Sequence, residues 1–475
     1  MFETGIRQFR MAMSMVWGRP VDPANIGRLI QDALATLAEF GTPGVDVQAL
    51  TDGPFADANA RAEFQNRALR RTARRLAELS PYYQGHFAAN EVQPAKLDLE
   101  SVSRVPVTVK ADLIGRPQDF RCAGVEPVLT TRTTGTTGRP AEVWLSRYET
   151  ELWPSLAGLS GLLRDEIRPS DCLQVNISSR ATAAVQQDVT LCRLVGAGCR
   201  VLGVVPPEEA LDSLLDGVPT LLSTYPSYLA QLVVAARERG LEPKDFRLRR
   251  IDVGGEVLSS ALATAARATF GVPLVNDSFG MTEVLPVSGR SCDQGHLHHD
   301  VNMGLAEVVD IVTGEPAQPG ALGTVVITPY YPYRECMPVF RYDTRDMVRV
   351  LPDQPLDCDL AGVPATTAIL GKADHLLHAG GTEVTTRDLV EAYEALPTRP
   401  WPARFAVAVR DGRLALTVPA AALDGYGEAA AVGHFADRGL DVALSVVPDE
   451  LAIGLRPLRC DLRETTFAVP APAGA

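Results

Sequence analysis

Lysine is nearly missing from this chain: Lys96, Lys110, Lys244 and Lys372 are its four, and every other basic side chain is an arginine. The basic total of 45 against 58 acidic residues leaves a net charge of −13, with no basic cluster standing out. A nucleic-acid binder carries a basic face, so that class is disfavoured. Long apolar runs are also missing; nothing approaches the ~20 residues that a bilayer span needs. The N-terminal segment is broken by Arg7 and Arg10 and has no apolar signal core, which predicts a cytoplasmic protein with no membrane partner. Cysteine is sparse: positions 122, 172, 192, 199, 292, 336, 358 and 460 are scattered, with no CxxC. That spacing excludes a dense disulfide scaffold and leaves reduced thiols or a metal site. No lysine follows the second glycine of the one Gly/Thr-rich loop, so a Walker-type nucleotide site is disfavoured as well.

At 475 residues the chain exceeds one ordinary core, and two or three domains are expected. Residues 57–79 have the spacing of an exposed amphipathic helix, with "SPYY" as its stop. From about residue 150, short apolar runs ("DCLQVNI", "CRVLGVV", "PTLLSTY", "LRRIDVGG", "VPLVNDSFG") alternate with helix-length segments, the pattern of βαβ units and a parallel sheet. "LGTVVITPYY" and "DMVRVL" alternate in the β manner and predict a smaller antiparallel part. After residue 370 the order helix, strand, strand, helix, strand predicts a compact α+β unit, ending in the low-complexity tail "AVPAPAGA". The expected class is α/β: a large domain over 1–369, with parallel-rich sheets flanked by helices, and a small α+β domain over 370–475.

Four segments carry chemistry. Thr130–Pro140, "TTRTTGTTGRP", holds six Thr and two Gly between β-type flanks, and reads as a phosphate cradle or as a polar linker. "VNDSFGMTEV" sets a carboxylate beside a hydroxyl at a strand end, suited to magnesium and phosphate, or to a plain helix cap. In "FRYDTRDMVRV", Asp346 lies between β segments and either accepts from ribose hydroxyls or is a turn aspartate. "GKADHLLHAGGTEV" combines a turn, a charged pair and a Gly-Gly.

In this order the four segments resemble the adenylate-forming superfamily of acyl-CoA synthetases, luciferases and peptide-synthetase adenylation domains, and within it the phenylacetate–CoA ligase family. "VPVTVKADL", "STYPSYLAQL" and "LRRIDVGGEVLS" add to the likeness, which runs from about residue 65 to the end. The resemblance implies an ATP- and magnesium-dependent ligase that converts a carboxylic acid, aryl or arylacetic, to its acyl-AMP and then to a CoA thioester. Other family routes pass the acyl group to an amine, a carrier protein or another nitrogen nucleophile (amide or N–N/diazo bond formation), and a degenerate ATP-binding protein is a further reading. A homodimer is compatible with the family. By the same resemblance, Thr133, Thr134, Gly135, Thr136, Thr137 and Gly138 wrap the phosphates. Gly255, Glu256, Asp277, Ser278 and Phe279 border the adenine, and Thr282 meets the α-phosphate. Glu283 holds magnesium, Asp346 the ribose, Lys372 stands at the hinge, and Tyr225, Ser227 and Gly254 line the acid pocket. The small domain is expected to be mobile and to close over the site.

Three departures from the family pattern stand out. Arg345 replaces a glycine before Asp346, Lys372 replaces an arginine, and the usual C-terminal lysine is missing. In the matching stretch, "IGLRPLRCDLRE", Arg456 or Arg459 is the substitute cation, or both are solvated surface arginines. "CDQGHLHHD" brings soft sulfur and imidazole together, and the resemblance points to Cys292, His298, Cys336 and Cys358 as a structural zinc set, against the reading of buried free thiols.

Overall fold

The computed structural model describes residues 14, 18–40, 57–133, 140–178, 181–352, 356–358 and 360–455. After α1 (Pro23–Phe40), α2 (Ala58–Leu79) starts where the Asp57 carboxylate accepts the Asn59 and Ala60 amides. Phe64, Ala68, Leu69, Thr72, Ala73 and Leu76 form its inner stripe, so this helix is amphipathic as expected but belongs to the core rather than to the surface. Short helices α3 (Pro81–Ala89), α4 (Lys110–Gly115) and α5 (Pro117–Phe120) follow, and then the hairpin β1 (Pro127–Arg132) and β2 (Glu142–Ser146). Ser146 and Glu149 make a reciprocal capping box that begins α6 (Arg147–Leu163).

The βαβ pattern read from the sequence is realised over the next hundred residues. Strands β3 (Cys172–Asn176), β4 (Gly198–Val201), β5 (Leu221–Thr224), β6 (Arg250–Gly254) and β7 (Val275–Gly280) pair in parallel. The helices that connect them are α7 (Thr182–Val195), α8 (Pro207–Leu215), α9 (Pro226–Glu238) and α10 (Ser260–Phe270). Strands β8 (Ser288–Ser291) and β9 (His296–His299) extend this sheet antiparallel. Strands β10 (Gly304–Asp310), β11 (Leu322–Pro329) and β12 (Tyr342–Arg349) form the expected antiparallel part. Short β13 (Ala365–Thr367) closes the large sheet beside β9, which runs β13-β9-β8-β7-β6-β5-β3-β4, and β14 (Gly371–Lys372) pairs with β12.

The C-terminal unit follows the small hairpin β15 (Leu377–Ala379) and β16 (Thr382–Val384). It packs α11 (Thr386–Glu394) and α12 (Glu428–Ala436) against β17 (Ala406–Arg410), β18 (Arg413–Pro419) and β19 (Val442–Val447). Leu389, Tyr393, Phe405, Leu416 and Phe435 fill a core of its own. Just before this unit, β14 still lies in the antiparallel sheet of β10–β12, paired with β12. Among the described residues, no helix is long and apolar enough to cross a membrane.

Candidate functional site

Strand ends supply the site. A parallel sheet directs the carboxyl ends of β5, β6 and β7 to one edge, where binding crevices of open α/β sheets lie. There a cavity of about 850 Å³ is lined by Tyr225, Ser227, Gly254, Gly255, Glu256, Asp277, Ser278, Phe279, Thr282, Glu283, Asp346 and Lys372. Residues from segments far apart in sequence thus converge on one space.

Gly254 is required by packing: a Cβ there would stand 2.9 Å from the Ser278 carbonyl oxygen on the adjacent strand. Gly255 has φ +79°, a left-handed turn that glycine adopts without strain. The Glu256 carboxylate accepts the Ser227 amide at 2.9 Å and so caps the start of α9. Asp277 is pushed up to about 6 by burial, against the opposing pull of Arg387, whose guanidinium lies 3.8 Å away on α11. Phe279 is buried with its ring set edge-on to His299.

After β7 the chain turns instead of entering a helix, so Thr282 and Glu283 do not act as helix caps. Glu283 is 2% exposed; the Tyr342 hydroxyl donates to its Oε1 at 3.4 Å, and Lys110 Nζ is 3.6 Å from the same oxygen. Lys110 reaches this point because Thr108 bridges to Tyr342, its amide donating to the Arg341 carbonyl and its carbonyl accepting the Asp343 amide. The segment "VPVTVKADL" therefore contributes a cavity-lining cation that reading by motif passed over.

Asp346 and Lys372 are cross-strand partners on β12 and β14, with Lys372 Nζ 2.9 Å from Asp346 Oδ2 and 3.0 Å from the Thr344 carbonyl. Arg345 has φ +59°. Its guanidinium bonds Asp374 at 2.9 Å and its amide donates to Asp343 at 2.9 Å, so an arginine occupies the backbone conformation that glycine takes without strain. Arg341 is structural: it pairs with Glu307 at 3.1 Å and donates to the carbonyls of Ser103 and Val105.

Of the Thr/Gly loop, the stem is defined. The Thr133 amide donates to the Ala141 carbonyl at 2.9 Å, while its hydroxyl accepts the Ala141 amide at 3.0 Å, and Thr133 lines the cavity. Thr134, Gly135, Thr136, Thr137 and Gly138 lie outside the described residues, as do Arg456 and Arg459.

The sulfur–imidazole set needs a correction. Cys292, His296, His298 and Cys358 bring their ligand atoms within 4.8 Å of one another, so His296 takes the place expected for Cys336. The His298 ring nitrogen Nδ1 is 2.9 Å from the Val363 carbonyl, leaving Nε2 turned to Cys358 Sγ at 3.5 Å. The His296 amide donates to Cys292 Sγ at 3.3 Å. Cys336 is buried elsewhere: its amide donates to Glu149, its carbonyl accepts the Cys122 amide, and burial pushes its thiol up to about 12. Strand β9 explains the exchange, since His296 and His298 alternate on it and share one face.

The chain is similar in sequence and in fold to proteins of known activity. The phenylacetate-coenzyme A ligase of Pseudomonas putida is 26% identical over 347 residues, covering 71% of this chain and 76% of the relative. That of Thermus thermophilus is 27% identical over 348 residues, covering 70% and 75%. The fold matches a crystal structure of 2-hydroxyisobutyryl-CoA ligase in the postadenylation state with TM-score 0.73 at 20% identity, over 87% of this chain and 90% of that one. Residues 57–331 match the family model described as AMP-binding enzyme, and the chain belongs to that adenylate-forming family.

Proposed function

We propose that the protein activates a carboxylic acid with ATP and passes the acyl group to coenzyme A. The observation that carries this reading is the convergence of Thr282, Glu283 and Asp346 with the Thr133 stem on one cavity. In the first half-reaction a carboxylate oxygen attacks the α-phosphorus of ATP, a P–O bond breaks, and pyrophosphate leaves. In the second, the CoA thiolate attacks the acyl carbonyl and AMP leaves with the bonding pair. Such in-line displacements need positioning and charge neutralisation more than covalent help.

Asp346 suits the ribose hydroxyls, Phe279 offers its ring to the adenine, and Thr282 a donor to the α-phosphate. Lys110 and Lys372 place positive charge on the cavity wall. A magnesium ion on Glu283 would neutralise phosphate charge. Cys292, His296, His298 and Cys358 suit a closed tetrahedral zinc ion with a structural role.

ATP–pyrophosphate exchange with a panel of carboxylic acids tests the reading, followed by CoA, amines and a carrier protein as acceptors. Exchange that depends on an acid, and thioester formed on adding CoA, are expected. ATP binding without exchange for any acid overturns the ligase reading, and acyl-AMP that ignores CoA but acylates an amine or carrier reassigns the acceptor.

A further inference from the structure

Beyond Gly254, the same cavity is lined by carboxylates from β6 and α7, Asp252 and Asp188. Ser223, Asp252 and Asn276 are cross-strand neighbours on β5, β6 and β7, so their side chains stand in a row on one face. All three line the cavity, as does Asp188 from α7 opposite. Asp252 is already compensated: Arg250 Nε is 2.9 Å from both its oxygens, and Asn276 Nδ2 donates to it at 2.8 Å. Arg250 also stands 3.6 Å from Glu166, so one guanidinium serves two carboxylates. Asp188 is a third. Its neighbours are the Ser223 hydroxyl, which donates to it, and the Asp252 carboxylate, which repels it; neither brings positive charge.

We infer that Asp188 and Ser223, with Asp252 behind them, form a subsite for an amino group at the end of the acid remote from its carboxyl. The inference rests on the acid-activating reading above and names its substrate class: an amine-bearing carboxylic acid. An apolar aryl acid would set hydrocarbon against this half-buried carboxylate, at a cost that a hydrogen-bonded ammonium removes. The scale fits. Arg250, Asp252 and Gly254 alternate on one face of β6, so at ~3.3 Å per residue Asp252 lies roughly 7 Å below the glycine rim. An amine set one ring or one short chain from the carboxyl spans that depth. Desolvation and the neighbouring Asp252 carboxylate push Asp188 up to about 7.

The test uses matched acids that differ only in a distal aminomethyl, hydroxymethyl or ethyl group, on arylacetic, benzoic and aliphatic skeletons. Each is titrated into the whole protein by calorimetry and assayed by pyrophosphate exchange. On at least one skeleton the amine should bind at least tenfold more tightly than its ethyl isostere, and Asp188→Leu should abolish that ratio. Asp188→Asn, which keeps the shape, should reduce it. An ethyl acid bound as well as the amine, a ratio unchanged in both variants, or no binding of any amine-bearing acid overturns the subsite. Amine binding that depends on Asp188 without any exchange would leave the subsite standing and remove the ligase reading. Exchange with ethyl acids as good as with amines would do the reverse.

Discussion

Lys110 Nζ lies 3.6 Å from Glu283 Oε1, and this pair puts a lysine on the wall of the cavity in a chain that has no lysine after position 372. Charge that spreads over carboxylate and phosphate oxygens needs a cation, and losing one costs on the order of a hundredfold in rate. Lys110→Ala should therefore lower acyl-AMP formation by about that factor while leaving transfer from supplied acyl-AMP intact. Arg456→Ala and Arg459→Ala are the controls in the same two assays. If either arginine variant loses the first step and Lys110→Ala does not, the cation comes from the C-terminal stretch.

The Asp346–Lys372 pair predicts how the nucleotide is held. ATP with magnesium should raise the melting temperature of the protein, as binding to the folded state alone requires. Asp346→Ala should keep the fold and lose most of that rise, measured by thermal shift across an ATP titration. An undiminished rise would remove Asp346 from the ribose site.

The sulfur–imidazole set should carry close to one zinc per chain by elemental analysis. Cys358→Ser and His296→Ala should lose the metal and lower the melting temperature, whereas Cys336→Ser should keep it. A closed site has no open coordination position, so depletion should reduce stability before it reduces exchange. Full stability in a zinc-free preparation would end the idea.

Arg345 sets backbone strain against ion pairing. A non-glycine residue at φ +59° costs about 1–2 kcal/mol. Its contact with Asp374 joins side chains 35% and 52% exposed, where a pair contributes about 0.2–1 kcal/mol. Arg345→Gly should accordingly be neutral or slightly stabilising in urea unfolding. A loss of more than about 2 kcal/mol would show that the link to Asp374 holds the turn against its strain.

Asp188 also predicts a pH dependence. Folding raises its pKa from the ordinary 3.8 to about 7, so the folded state holds the proton more tightly. The stabilisation is complete below about pH 4 and is lost as the pH rises through about 7. Asp188→Asn should therefore gain several degrees over the parent at pH 8 and little or nothing at pH 4, read as paired melting curves. A gain that does not vary with pH would contradict the raised pKa of this carboxyl.

What the sequence determined by itself is what depends on nearby residues. Strand and helix periods announced the parallel sheet, the antiparallel part and the α+β unit, because burying one face imposes a period of two or of 3.6 on the chain. Thr282 and Glu283 were legible for a similar reason, since a strand end followed by a glycine turn is a local pattern. The stretch of residues 57–79 was legible as amphipathic but not as core, because periodicity shows that a face is apolar and not what covers it. Only the tertiary structure decided the rest. Lys110 meets Glu283 because Thr108 pairs with Tyr342, and Asp188 and Asp252, 64 positions apart, line one cavity. His296 displaced Cys336 because strand alternation turns it to the side of His298, while Cys336 is drawn into the core beside Glu149. Through-space approach between distant segments is set by packing, and packing leaves no periodic trace in the order of residues.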